Sequence, residues 1–377
     1  MIIRRIFERL QKLDWFLLLA TLVLVAFGVA AIYSVELSHD GSDFYFLKKH
    51  LMIFGFSLLA FFIFASTNYL QLRNYARILY IIGVILLVAV LFFGLTIRGT
   101  TGWFVIFGFS FQPVEFMKLA LAVELSSYFG EHARRKFGWR EIFSSGFLAG
   151  VPIILTMLQP DLGSASLLIG MWLMLIFFAG IKWHQAAILG GSAILVIIFA
   201  WFFLLAGYQR DRVQVFLNPD LDPLEKGYNI AQAKIAIGSG QLFGRGLGFG
   251  SQSQLKFLPE SHTDFVFSVI AEELGFFGVT ILYLSFLIIF YRILLHSYGA
   301  RDNFSSFLAI AIFGIIFTQA FINICVNLAI LPATGVALPF VSYGGTSLLF
   351  SFIMLGIVES MALQSRPGDI VLSRWYN

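Results

Sequence analysis

Long apolar runs recur along the chain, separated by mostly short polar connections. A membrane-spanning helix needs about 20 predominantly apolar residues. Ten stretches approach that length: residues 15–34, 49–66, 77–96, 113–129, 144–158, 162–180, 186–206, 265–292, 304–328 and 338–364. This pattern predicts an all-α integral membrane protein with about ten transmembrane helices, forming one polytopic domain over residues 1–377. The apolar piece 103–111 is too short to span and predicts an interfacial segment.

The composition supports a membrane protein. Hydrophobic residues make up 59% of the chain and charged residues 12%, against about 25% charged residues in soluble domains. A disordered protein, a nucleic-acid-binding protein and a secreted disulfide scaffold are therefore excluded. The single cysteine, Cys325, lies in an apolar run and is expected to be a small buried residue.

Lysine and arginine in the connections predict the orientation, because cytoplasmic loops carry an excess of both. With the N-terminus inside, fifteen basic residues fall on the inner side and three on the outer side. The inner set is Arg4, Arg5, Arg9, Lys12, Arg73, Arg77, Arg134, Arg135, Lys136, Arg140, Lys182, Arg292, Arg301, Arg366 and Arg374, and the outer set is Lys48, Lys49 and Arg98. Both termini are predicted to be cytoplasmic, and the first helix is expected to remain uncleaved.

One connection, residues 207–264 between the seventh and eighth helices, is far longer than the others and is predicted to face outward. Loops of this length are usually functional or disordered. Its stretch 228–237 has the spacing of an amphipathic surface helix. The following segment, 238–250, contains six glycines, which favour a tightly turned loop over a nucleotide-binding loop. Backbone amides of that loop remain candidate ligands for a lipid pyrophosphate.

Charged residues within apolar segments are candidates for function, since a charge at the bilayer centre costs about 2.5–3.5 kcal/mol. Glu115 and Lys118 share one helix face, either as a structural ion pair or as the lining of a cavity for a charged substrate. Asp161 fits a helix N-cap best. The pair Asp220 and Asp222 lies between prolines, which favours a turn over a metal site.

Asp264, in the motif His262-Thr263-Asp264, is the strongest candidate for catalysis. A partly desolvated carboxylate at the junction of the outer loop and an apolar helix gains basicity, as a general base requires. The alternative is a helix N-cap, which the local sequence alone favours slightly. Glu272 and Glu273 lie about 12–14 Å deeper on a straight helix, and Glu359 is expected to be interfacial.

Four motifs together resemble the SEDS family of bacterial peptidoglycan polymerases. They are FQPVEFMKLAL (111–121), QPDLG (159–163), the long segment from Lys226 to Gly275, and LPATGVALPFVSYGGTSLL (331–349). The stretch SQSQLKFLPESHTDF is more similar to the elongation-type RodA branch than to the division-type FtsW branch. Gln241 and Thr346 depart from the residues usual in the family.

The resemblance implies a peptidoglycan glycosyltransferase of the bacterial cytoplasmic (inner) membrane. Its implied substrate is lipid II, the undecaprenyl-pyrophosphate disaccharide-pentapeptide, used at the outer face during cell elongation. It also implies Asp264 as the catalytic carboxylate, Trp103 as a functional residue and a class B penicillin-binding protein as partner. An inverting transfer needs one base and positive charge for the departing pyrophosphate. The candidate cations are Arg98, Lys118, Arg210, Arg212 and Lys234, with Glu115, Asp161, His262 and Thr263 as further substrate-binding candidates.

Two other functions remain open on the sequence. A lipid II flippase would use the intramembrane Glu115 and Lys118 without forming glycan. A non-catalytic scaffold would hold a cross-linking enzyme and would need no outer charge. The sequence requires no cofactor and shows no protein metal cluster, although Mg²⁺ bound to lipid phosphates would leave little trace.

Overall fold

A computed structural model describes residues 13–38, 44–97, 99–106, 109–133, 137–204, 207–218, 226–255, 257–258 and 260–364. The helices described are α1 Trp15–Leu37, α2 Tyr45–Ser66, α3 Leu70–Asn74, α4 Ala76–Phe93, α5 Pro113–His132, α6 Trp139–Leu158, α7 Leu162–Phe178, α8 Trp183–Phe199, α9 Gly207–Leu217, α10 Lys226–Ser239, α11 Ser251–Gln254, α12 Val266–Tyr298, α13 Asn303–Asn327 and α14 Gly345–Gln364. A short π-helical turn, Ala200–Leu204, continues α8. The strands described are β1 Leu95–Ile97, β2 Thr100–Ile106 and β3 Phe109–Phe111.

Each of the ten predicted spans overlaps one long helix, namely α1, α2, α4 to α8 and α12 to α14, although residues 338–344 of the last predicted span precede α14. Seven of the described helices are long and apolar enough to cross a membrane. The other three are α5, which carries Glu115, Lys118 and Glu124, and the 17-residue helices α7 and α8. The prediction of an all-α integral membrane protein is confirmed.

The centre of the bundle is formed by α13 and α14, the two most buried of the seven apolar spans. α14 packs along α2, and α13 packs against α5, α7 and α12. Close approach of α14 and α2 depends on Gly356, where a β-carbon would crowd the main chain of Phe61. Small residues at such contacts let membrane helices approach each other closely.

The predicted interfacial segment 103–111 contributes to a small antiparallel sheet in the order β1-β2-β3. β2 pairs with β1 through Trp103 opposite Leu95, and with β3 through Phe104 opposite Phe111. The sheet connects α4 to α5 at the end of the bundle that also holds Asp264, called here the Asp264 end. The segment is rich in aromatic and β-branched residues, which favour strands, and it is too short to form a spanning helix.

The long connection before α12 is largely helical in its described parts, with α9, α10 and α11. The amphipathic stretch 228–237 lies within α10, which packs against α12 and buries Ala233 and Ala236. The glycine-rich segment follows directly, and Gly244, Gly246 and Gly248 have positive φ angles. It is a tightly turned chain laid against α12.

α12 is interrupted at Gly275, whose φ of 63° and ψ of −163° are not helical. The glycine-rich segment supplies the hydrogen bonds that this break leaves open. Arg245 N and Gly246 N donate to the carbonyl oxygens of Glu272 and Glu273 at 3.0 and 2.9 Å, while Phe276 N and Phe277 N donate to the carbonyl oxygens of Gln241 and Leu242 at 2.9 and 3.0 Å. These loop amides are therefore used within the fold rather than presented to a pyrophosphate.

The side chains of Glu272 and Glu273 face the same segment. Glu272 accepts hydrogen bonds from Gln252 N at 2.8 Å and Ser253 N at 3.1 Å, which are main-chain donors at the start of α11. Glu273 accepts from the hydroxyls of Ser34 and Ser253. Both carboxylates are fully buried and tie α12 to α1 and to the outer connection.

At the opposite end of the bundle, called here the Asp14 end, four charged or titratable groups meet. Asp14 Oδ2 accepts from Arg292 Nε at 2.5 Å and is 2.6 Å from His296 Nε2. Asp14 N donates to Glu359 Oε1 at 2.8 Å. Glu359 is 1% exposed, so the expectation that it is merely interfacial is wrong: it closes this cluster between α1, α12 and α14.

Titration of Asp14 should control the stability of this end. Burial raises the pKa of Asp14, but hydrogen bonds from His296 and Arg292 outweigh burial and lower the pKa below 3.8 overall. A lowered folded-state pKa stabilises the fold above the unfolded-state value, and that stability is lost as the pH falls through the folded-state value.

We expect Asp14→Asn to lower the unfolding temperature at pH 7, because a buried and paired charge is removed. The difference from the native chain should narrow as the pH falls below about 4, the ordinary range of an aspartate pKa. Thermal unfolding of both proteins in detergent between pH 7 and pH 3 measures the difference in unfolding temperature and its narrowing. A gap that stays constant across this range would contradict the role given to the Asp14 charge.

Candidate functional site

Asp264 lies at the junction of the outer connection and α12. The first helical residue is Val266, and Phe265 occupies the N-cap position without a side-chain cap. Asp264 therefore precedes the N-cap, and the alternative that it is the helix cap is wrong. Its side chain is partly exposed.

Two asparagines of α13 hold the main chain of Asp264. Asn323 Nδ2 and Asn327 Nδ2 each donate to the Asp264 carbonyl oxygen at 2.9 Å. Asn327 Oδ1 also accepts from Ser268 N at 3.1 Å and from Ser268 Oγ at 2.7 Å, which fixes the first turn of α12. We call Asn323 and Asn327 the asparagine clamp. The clamp binds the carbonyl of Asp264, not its carboxylate.

The two residues before Asp264 are fixed by the loop 328–344, which joins α13 to α14. Ser342 Oγ donates to the Thr263 carbonyl oxygen at 2.6 Å, and Tyr343 N donates to the His262 carbonyl oxygen at 2.8 Å. The His262 ring stacks on Phe46, with 4.7 Å between centroids. Burial raises the pKa of Tyr343 to about 12, so this phenol stays neutral beside the motif.

The same loop also brings Asp161 towards Asp264. A β-carbon at Gly335, whose φ is +74°, would lie 3.8 Å from Asp264 Oδ2. At the preceding residue, Thr334, the backbone of Gly163 packs so closely that a β-carbon on Gly163 would lie 2.6 Å from the Thr334 carbonyl oxygen. The QPDLG and HTDF motifs therefore both approach residues 334–336 of the loop.

Asp161 caps α7, as the sequence favoured, by accepting a hydrogen bond from Ser164 N at 2.8 Å. It also accepts from Gln112 Nε2 at 3.1 Å, at the start of α5. Thr101 N donates to the Gln159 carbonyl oxygen at 3.3 Å, which holds β2, and Trp103 within it, beside these residues. Trp103 is partly exposed.

Glu115 and Lys118 form a buried ion pair in α5, with Lys118 Nζ 2.6 Å from Glu115 Oε2. The contact is close without being an aligned hydrogen bond, since Glu115 Oε2 has no hydrogen-bond partner among the described residues. Lys118 Nζ also donates to Gln319 Oε1 at 3.5 Å, and Gln319 Nε2 donates to the Ala337 carbonyl oxygen at 3.0 Å. Through Gln319, the ion pair is therefore linked to the loop 328–344. Gln319 lies one helical turn from the asparagine clamp.

The remaining predicted cations lie outside this group of contacts. Arg210 Nη2 donates to the Phe202 carbonyl oxygen at 3.1 Å, and Lys234 is exposed on α10. Arg212 is in α9, while Arg98, Asp220 and Asp222 lie outside the described residues. Two cavities, of about 400 and 460 Å³, border the glycine-rich segment, and neither is lined by Asp264.

The sequence reasoning missed the residues that hold the site together. Gln319, Asn323 and Asn327 recur every four residues in α13, which places them on one face of the helix. Three amides at that spacing in an apolar run are a readable signal, because a buried amide needs partners. Ser342, in contrast, could not be assigned without the fold.

This fold and site define a multi-pass helical membrane protein in which the main chain of a partly exposed aspartate is fixed at one end of the bundle. The family model of the FtsW, RodA and SpoVE cell cycle proteins matches residues 11–367. The chain belongs to this family, so the family predicted from the motifs is confirmed.

Individual relatives cover nearly the whole chain. It is 37% identical to the peptidoglycan glycosyltransferase MrdB of Escherichia coli (strain K12), over 93% of both chains. It is 36% identical to the stage V sporulation protein E of Bacillus subtilis (strain 168), over 94% of this chain and 98% of the relative.

Solved structures share the fold. The rod shape determining protein RodA of Thermus thermophilus matches with a TM-score of 0.70 at 27% identity, covering 94% of this chain and 97% of the other. A chain from a peptidoglycan synthase complex that coordinates polymerization and crosslinking matches with a TM-score of 0.77 at 29% identity, covering 93% and 97%.

Removal of the Asn327 amide should destabilise the Asp264 end. Asn327→Leu leaves the N–H and the hydroxyl of Ser268 without their acceptor and removes one of the two hydrogen bonds to the Asp264 carbonyl oxygen. Each buried unsatisfied group costs about 1–3 kcal/mol. We expect a clear loss of thermal stability in detergent. The control is Ser285→Ala in α12, which removes only an intrahelical bond to Ile281. Equal unfolding temperatures for the two variants would contradict the role of the clamp.

Proposed function

We propose that this protein is a peptidoglycan glycosyltransferase that joins lipid II disaccharide units during cell elongation, with Asp264 as the general base. The observation that carries the proposal is the placement of Asp264. Its main chain is held by Asn323 and Asn327, and its side chain lies by Gly335 at the meeting point of three family motifs.

The proposed reaction forms a β-glycosidic bond. Asp264 accepts the proton of the acceptor sugar 4-hydroxyl as the hydroxyl oxygen attacks the anomeric carbon of the donor. The bond to the α-linked pyrophosphate breaks, its electron pair leaves with undecaprenyl pyrophosphate, and the configuration inverts. One positioned carboxylate suffices, because no covalent sugar intermediate forms. General-base assistance of this type typically contributes 10²–10⁴-fold to the rate.

The departing pyrophosphate needs positive charge. Lys118 is connected through Gln319 to the loop that contacts Asp264, although Glu115 already balances the charge of Lys118. Arg210 retains a buried Nε without a partner among the described residues, which leaves a donor for an anionic ligand. Arg98, Arg212 and Lys234 remain candidates from the sequence. Guanidinium groups suit this task because they bind phosphate oxygens in pairs.

Within the described ranges, no three His, Cys, Asp or Glu side chains are grouped to hold a metal ion. The described residues therefore form no metal site of their own, and the proposed reaction has no step that depends on one. A Mg²⁺ ion in the reaction would depend on the phosphates of the substrate for most of its ligands.

We place the reaction at the outer face of the cytoplasmic membrane, because the described basic residues predicted for the inner side lie at the helix ends on the Asp14 side of the bundle. These are Arg73, Arg77, Arg140, Lys182, Arg292 and Arg301. The lipid chains of both substrates then reach the site laterally from the membrane. A class B penicillin-binding protein is the proposed partner, supported by the likeness to a synthase chain from a complex that polymerizes and crosslinks.

The decisive experiment is polymerisation of purified lipid II in detergent by native protein and Asp264→Asn, with and without the partner. The substitution removes the proton-accepting carboxylate and preserves the carbonyl that the clamp binds. We expect the rate to fall by about 100-fold or more.

The matched control is Asp302→Asn, a carboxylate that caps α13 at the Asp14 end. It should polymerise at close to the native rate. A folded Asp264→Asn protein with the native rate would refute the general-base role.

A lipid II transporter is the second candidate, favoured by the Glu115–Lys118 pair buried in a spanning helix. Translocation of lipid II in sealed vesicles, abolished by Lys118→Met and accompanied by no glycan product, would support it. Glycan synthesis by the purified native protein would reject transport as the sole function.

A further inference from the structure

The glycine-rich segment 238–250 carries large apolar side chains that nothing in the proposed chemistry uses. Phe243 is 82% exposed and Phe249 is 78% exposed, and Leu242 and Leu247 are exposed as well. We call these four side chains the apolar rim. An exposed cluster of this type on a well-defined chain segment marks an interaction surface.

The position of the segment along α12 indicates which surface it meets. α12 has 33 residues, about 50 Å at 1.5 Å per residue, whereas a hydrocarbon core is about 30 Å thick. Counting about 20 residues back from Arg292 places residues 272–291 in the core. The segment pairs with Glu272, Glu273, Phe276 and Phe277, so it lies at the outer edge of that core.

The hydrogen bonding is what a chain at this depth requires. Irregular backbone is tolerated within a membrane only where its polar groups find partners in the protein. The residues on either side of the break at Gly275 and the glycine-rich segment satisfy each other's main-chain polar groups through the four hydrogen bonds described above. Gly240 and Gly244 allow this contact, since a β-carbon at either would overlap the main chain of α12.

The apolar rim is continuous with the lipid-facing surface of the spanning helices. Phe276 and Phe277 are exposed on α12 beside it. Leu247 also closes the 460 Å³ groove between α1 and α2, whose other lining residues are apolar except for Tyr33. This apolar lining matches the chemistry of a lipid chain.

We propose that the apolar rim dips into the leaflet at the Asp264 end and contacts the acyl chains of membrane lipids. The segment is then a re-entrant anchor: it fixes the depth of the Asp264 end of α12 in the membrane. This inference rests on the membrane fold and is independent of the proposed transferase activity.

Spin labelling tests the proposal directly, because Cys325 is the only cysteine. In a Cys325→Ser background, Phe243→Cys and Phe249→Cys carry the nitroxide in vesicles of phosphatidylethanolamine and phosphatidylglycerol. Leu59→Cys on α2 is the lipid reference, and Gln71→Cys on α3 is the water reference. The measured ratio is the accessibility of the label to oxygen divided by its accessibility to a water-soluble nickel complex.

We expect ratios at Phe243 and Phe249 close to that of Leu59, with unfolding temperatures near that of the background protein. Ratios close to that of Gln71 would overturn the proposal, since the rim would then face water and be open to a protein partner. No result here bears on Asp264, so failure of this proposal and failure of the proposed function are distinguishable.

Discussion

Main-chain polar groups surrounded by apolar side chains must find partners, and this constraint shapes the Asp264 end of the molecule. The carbonyl of Asp264 lies where a helix has not yet begun, so it cannot be satisfied by helical hydrogen bonds. The amides of Asn323 and Asn327 satisfy it, and in doing so they place α12 on α13. The same face of α13 extends through Gln319 to the loop 328–344 and to the Glu115–Lys118 pair. One row of amides thus connects the Glu115–Lys118 pair, the loop 328–344 and the main chain of Asp264.

The charges divide between two ends with different physical roles. At the Asp14 end, Arg292, His296 and Glu359 each bond to Asp14, and the cluster joins three helices. At the Asp264 end, the acidic side chains are held more by uncharged donors: Asp161 by Ser164 and Gln112, and Glu272 by amides of α11. Asp161 and Glu272 are therefore held by hydrogen bonds from neutral groups, whereas Asp14 is held by a guanidinium and an imidazole.

Much of this arrangement could be predicted from the sequence. Apolar run length located the ten long helices, and the motif residues Asp161, His262, Thr263 and Asp264 do converge on one loop. Local sequence patterns gave wrong predictions where the role of a residue depended on partners far away in the chain. Asp264 looked like a helix cap because only its neighbours in the chain were visible. Glu359 looked interfacial because its partner, Asp14, is 345 residues away. The strands at 95–111 escaped notice since a short apolar run has no helical length and little alternation.

The break in α12 has a consequence for how sequence can vary around it. Its open hydrogen bonds are closed by main chain alone, from Gln241, Leu242, Arg245 and Gly246. Main-chain donors and acceptors are common to nearly every residue type, so the hydrogen bonds of this joint impose no side-chain identity at those places, although the positive φ angle at Gly246 favours glycine there. What the joint does impose is the absence of a side chain at Gly240, Gly244 and Gly275. The segment can therefore exchange its outward-facing residues freely, adapting to membranes of different thickness or composition, while its path beside α12 stays the same.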